Sequence, residues 1–285
     1  MDTTTYSPPV DKLLTYGEAE PAGSKDWPNY LELGLGPEHI PDLIRLATDT
    51  ELRWAEMEED RPEYWAPIHA WRTLGQLHAE AAVEPILSVL DKLVDDEWSM
   101  EELPEVFGMI GPSAIRALSA FIADASHEVW TRVCTMDSLE QIGRRHPEAK
   151  AECITVLTRQ LDLFAENDPT INAFLISSLM SLKAQEALPL IEQAFEADSV
   201  DELVVNWNDV QVEFGLKERE ELDERIRALL STPLPPPPMP EESIATPVFS
   251  RPPSPPLPRG HSAGSTRKAK KKLEKASRKK NRKRR

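Results

Sequence analysis

The chain has 285 residues, 40% of them hydrophobic, only two cysteines and a net charge of −16. That is enough apolar mass for a sizeable core and too few cysteines for a disulfide framework, and no apolar run approaches the roughly 18 residues of a membrane helix. Met1 to Val10 is polar and lacks the basic start and apolar block of a secretory signal, so the expected protein is soluble and cytoplasmic, with Cys134 and Cys153 as reduced core thiols.

Residues 1–36 contain Pro8, Pro9, Pro21 and Pro28 among scattered glycines, which predicts an irregular lead-in with at most one short helix near Val10 to Tyr16, draped over the first helical repeat. From 37 to 230 apolar residues recur at three- and four-residue spacings and glycine is sparse, the mark of helices. Within 231–258, the 26 residues from Pro233 to Pro258 hold 12 prolines. They lack backbone donors and apolar mass, so a disordered, semi-rigid linker is expected. Residues 259–285 form a basic tail, also expected to be disordered, with 14 Lys or Arg against one acid, Glu274. The tail therefore carries +13 and residues 1–258 carry −29, so any nucleic-acid contact belongs to the tail.

Several stretches of the helical region overlay. Leu74-Gly75 precedes Val83 to Leu93, Ile110-Gly111 precedes Ile115 to Ile122, Ile142-Gly143 precedes Cys153 to Phe164, and Leu182-Lys183 precedes Leu188 to Phe195. The anchors at 75, 111, 143 and 183 lie 36, 32 and 40 residues apart, in the range of helical-hairpin repeats. Glycine there suits a left-handed helix cap, and Pro85, Pro112, Pro147 and Pro189 suit turns or first helical turns. A hairpin with two apolar faces leaves one bare, so neighbours must stack to cover it. The expected fold is all-α, an α-solenoid of about five helical hairpins; a plain helical bundle is the rival, but a bundle has no reason to repeat its caps.

The run from Ala66 through Trp71-Arg72-Thr73-Leu74-Gly75 into Val83-Glu84-Pro85-Ile86 resembles bacterial HEAT-like repeats of the phycobilisome-lyase type, and His127 to Gly143 is similar to the same unit. The resemblance covers roughly residues 37–215. It implies a concave surface lined by the first helix of each hairpin, and roles as adaptor, assembly factor or, in a minority, lyase. Some relatives end in a cysteine-rich zinc motif; this chain has no cysteine after Cys153.

No nucleophile elbow, phosphate loop or His-x-x-x-His pair is present, so no catalytic residue, metal or cofactor is assigned. The acidic runs match no calcium loop and suit solvated faces and helix starts. The candidate protein-binding residues, all on or near the first helices of the hairpins, are Glu63, Trp65, His69, Arg72, Glu101, Glu102, Glu105, Glu128 and Arg132. Their acids would form a negative trough for a basic protein segment, with tryptophan as anchor or as filler between hairpins. In the tail, Lys270, Lys271, Lys272, Arg278, Lys279, Lys280, Arg282, Lys283, Arg284 and Arg285 suit a polyanion such as RNA, the ribosome or DNA. No aromatic interleaves them, so sequence preference should be weak; the alternatives are pairing with the acidic body or simple solubility. The expected function is a monomeric, non-catalytic scaffold or adaptor, the alternative a lyase or small-molecule binder of the phycobilin-lyase type.

Overall fold

In the computed structural model the described residues are 6–20, 23, 25–54 and 61–217, without the side chains of 53 and 54. The chain divides into two compact units, 1–231 and 232–285. The second unit, which carries most of the expected linker and all of the basic tail, lies outside the described residues.

The described residues hold eleven α-helices and no strand. They are α1 (Ile40–Ala47), α2 (Thr50–Trp54), α3 (Ala66–Gln76), α4 (Val83–Leu90), α5 (Glu97–Ile110), α6 (Ile115–Ala123), α7 (Val129–Arg145), α8 (Lys150–Leu161), α9 (Pro169–Ser181), α10 (Leu188–Glu196) and α11 (Trp207–Glu213). Helical spacing of apolar residues fixes the buried faces: Val83, Ile86, Leu87 and Leu90 in α4, and Ile171, Leu175 and Leu179 in α9. Acids expected at helix starts do cap them. The Asp96 carboxylate accepts from the Trp98 amide at 3.2 Å, and that of Asp168 from the Thr170 amide at 2.8 Å.

Neighbour relations follow a regular order. α3 packs between α1 and α5, and α7 between α5 and α9, while the intervening helices α4, α6 and α8 pack against one another in turn. Buried apolar side chains connect in one cluster that includes residues from Tyr6 to Phe214, with Cys134 and Cys153 inside it. Burial pushes both thiols up, Cys153 to about 11, so they stay protonated and inert.

The repeated glycines do two different jobs. Gly111, just after α5, combines a positive φ (90°) with ψ −155°, not the expected left-handed cap but still a backbone in which an L side chain is strained. Gly75 and Gly143 instead sit within α3 and α7; a Cβ on Gly143 would lie 2.9 Å from Leu182 Cδ2. There glycine serves close helix approach, and the positive φ just past α3 and α9 falls to His78 (49°) and Lys183 (56°).

Among its described residues the lead-in forms two 3-10 turns, Val10–Thr15 and Tyr30–Leu33, in otherwise irregular backbone. It is nonetheless packed: Tyr6, Val10, Leu13, Ala19, Trp27, Tyr30 and Leu35 are all buried. At its start the Arg45 guanidinium lies 4.3 Å over the Tyr6 ring. We call residues 6–36 the strap.

Candidate functional site

Five of the nine residues expected to line a binding surface are buried. Trp65 (7% exposed) packs edge-on to Trp98 with ring centroids 5.2 Å apart, filling space where α3 meets the start of α5. Arg132 is 5% exposed and its Nε donates to the Ile122 carbonyl at 2.9 Å. His69, Arg72 and Glu102 are 1%, 2% and 4% exposed. They belong to a buried polar constellation that the strap closes.

The spacing of that constellation is helical. His69, Arg72 and Gln76 fall at i, i+3 and i+7 on α3, one stripe of an otherwise apolar helix. Arg72 holds Glu102 of α5 in a two-pronged pair, Nε to Oε2 at 2.8 Å and Nη2 to Oε1 at 2.6 Å. The same Nη2 donates to the Glu20 carbonyl of the strap at 2.9 Å, and the guanidinium lies 5.0 Å over the Trp27 ring. Burial lifts the Glu102 carboxyl above its ordinary value even with the guanidinium beside it.

His69 joins the strap through both ring nitrogens. Nε2 lies 2.9 Å from the Gly17 carbonyl, which can only accept, so Nε2 carries the proton; Nδ1 then accepts from the Tyr30 hydroxyl at 2.7 Å. This is the neutral imidazole, and burial drives the His69 pKa down to about 4. The hydroxyl of Tyr30 is correspondingly pushed up to about 12, mainly by burial. Gln76 completes the stripe: its Oε1 accepts from the Tyr30 amide at 3.0 Å and its Nε2 donates to the Pro28 carbonyl at 2.7 Å.

The expected acidic trough is therefore not continuous. Glu101 and Glu102 are adjacent on α5, about 100° apart around the helix, so one faces solvent while the other enters the pair with Arg72. Glu105, one turn further, pairs with Arg145 of α7. Glu63 is half-buried, 3.8 Å from the Arg61 Nε. Glu128, just before α7, is exposed. The ten basic tail residues lie outside the described residues.

Exposed apolar side chains stand at the beginning of α7 and in the loop after α10, and of these only Trp130 stands out in the sequence. Trp130 is 54% exposed and meets Phe174 of α9 edge-on, centroids 5.8 Å apart. The loop after α10 is tied to the start of α9, the Asp201 amide donating to the Pro169 carbonyl at 3.1 Å and Asn172 Nδ2 to the Ser199 carbonyl at 2.7 Å. That loop exposes Val204 and almost the whole of Leu203 (97%). Acids border it: Glu128, Asp168 and Glu202 are exposed, while the nearby cation, Arg132, is buried.

The family model described as "Protein of unknown function (DUF1186)" matches residues 36–233, well over half of the chain. The chain belongs to the DUF1186 family. No curated protein and no solved structure matches it. The DUF1186 region starts where the strap ends, so it contains His69, Arg72, Gln76 and Glu102 as well as the Trp130 patch, whereas Gly17, Glu20, Trp27, Pro28 and Tyr30 precede it. Among the described residues no group of three or more His, Cys, Asp or Glu is placed to hold a metal ion, and no single helix is long and apolar enough to cross a membrane.

Proposed function

We propose that the DUF1186 region is a HEAT-like α-solenoid that serves as a protein-binding scaffold, taking a basic protein segment with an apolar anchor on the patch formed by α7, α9 and the 199–205 loop. The order in which helices neighbour one another, α1 to α3 to α5 to α7 to α9 with α4, α6 and α8 in a second row, supports the stacked arrangement. The single observation that carries the binding reading is the half-exposed Trp130 ring, edge-on to Phe174 of α9. A large aromatic left exposed on a helix is the residue type most enriched in protein-binding hot spots. Glu128, Asp168 and Glu202 set the expected charge of the ligand as positive.

The basic tail, Lys270 to Arg285, extends the proposal to polyanion tethering by counterion release, with RNA as the first candidate. The protein reading is tested by screening the full chain against a library of Lys/Arg-rich peptides with a central Leu or Phe, by fluorescence anisotropy. Binding that weakens at least tenfold in Trp130→Ala, with unchanged helical signal, supports it. Absence of any binder, or affinity indifferent to Trp130→Ala, overturns it.

A further inference from the structure

We infer that the His69/Arg72/Gln76 stripe of α3 is a second peptide-binding site, one that reads an aromatic-x-x-Tyr segment through its main chain, and that the strap is its occupant in cis. The inference deepens the scaffold reading, since it gives the same class of ligand to another helix of the same row. A buried histidine and a buried arginine–glutamate pair would be an expensive way to fill a core, because each polar group costs free energy unless every bond is made. Here the bonds are made, and three of them go to strap carbonyls: Gly17 O to His69, Glu20 O to Arg72 and Pro28 O to Gln76.

Gln76 is the clearest sign of recognition rather than packing. Its carboxamide takes the amide of Tyr30 and gives to the carbonyl of Pro28, the two-way exchange by which a neighbouring strand reads a peptide. Such contacts are available to any chain, whatever its side chains. Specificity enters at only two places, the Tyr30 hydroxyl on His69 and the Trp27 ring beneath Arg72, which are three residues apart.

The boundary of the DUF1186 match separates the two sides of the site: every reading side chain lies inside it and every residue that is read lies before it. The strap has little regular structure of its own beyond its two 3-10 turns, so it is held chiefly by what it touches. A tethered occupant competes at an effective concentration on the order of millimolar, so the site rejects weaker ligands in trans until the strap is loosened.

The test uses the full chain and a fluorescein-labelled synthetic peptide of residues 6–36. The double variant Trp27→Ala/Tyr30→Ala is expected to bind this peptide at least tenfold more tightly than the wild-type chain does, and adding Gln76→Ala to the variant should abolish that gain. A peptide with Tyr30 replaced by Phe should bind about tenfold more weakly. If the double variant keeps its helical signal and shows no gain, the inference is overturned. If it unfolds, hydrogen exchange on the wild-type chain decides: strap amides such as that of Tyr30 exchanging at least tenfold faster than those of α5 and α7 support an exchangeable occupant, and equal rates overturn it. None of these measurements involves Trp130, so either site can fail while the other stands.

Discussion

Two places along the odd-numbered helix row, α3 and the α7–α9 pair, present opposite solutions to the same problem. At α3 the chain puts a polar stripe on the helix and covers it with its own strap, leaving His69 and Arg72 almost without exposure. At α7 and α9 it puts an aromatic pair and leaves it open, Trp130 half exposed and Leu203 fully so. Polar groups cannot be abandoned in a dry interior, whereas an exposed ring costs comparatively little until a partner covers it.

Breaking the filled site should have the largest effect. Glu102→Ala strands the Arg72 guanidinium in the interior and is expected to cost about 3–5 kcal/mol; Glu101→Ala, one residue away and exposed, should stay within about 0.5 kcal/mol. Urea denaturation of the two variants checks the contrast, and equal losses would refute the assignment of the pair.

The comparison sharpens with pH. His69 has a folded pKa near 4, below its ordinary 6.5, so its contribution is complete above pH 6.5 and is lost as the pH falls through that range toward 4. The stability difference between wild type and His69→Gln should therefore shrink by up to about 3 kcal/mol between pH 7 and pH 4. Asp137 on α7 runs the other way. Burial, with Glu140 adding, raises its carboxyl to about 7, so it penalises folding fully above pH 7 and the penalty fades as the pH falls toward 4. Asp137→Asn should stabilise by on the order of 2 kcal/mol at pH 8 and by almost nothing at pH 4, read from thermal melts at both values.

The smallest effect on stability belongs to the open site. Trp130→Ala removes a half-exposed ring and should shift the unfolding free energy by about 1 kcal/mol or less while lowering affinity for basic peptides at least tenfold. A large stability loss would mean that the ring is a structural filler.

The helices were legible because their signal is local. The apolar stripes and the Gly/Pro punctuation placed α4, α6, α8 and α10 within a few residues, and Asp96 and Asp168 cap the helices they precede, as acids at helix starts do. The site was legible only in part, because burial is decided by what comes from elsewhere in the chain. His69 and Arg72 stand on the stripe that a single helix exposes, and nothing near them in sequence announces that a segment some fifty residues earlier will cover them. One clue was available: polar residues at 69, 72 and 76 interrupt an otherwise apolar helix face and call for polar partners. Leu203 and Phe174 were missed because the pairing of Phe174 with Trp130 and the tying of the 199–205 loop to α9 are contacts that no periodicity encodes.

The scaffold reading is tested most directly by hydrogen exchange on the full chain with and without its best basic peptide. Added peptide should slow exchange in the first turns of α7 and α9 and in the 199–205 loop while leaving α3 and the strap unchanged. Slowing confined to other helices, or none at saturating peptide, would contradict it.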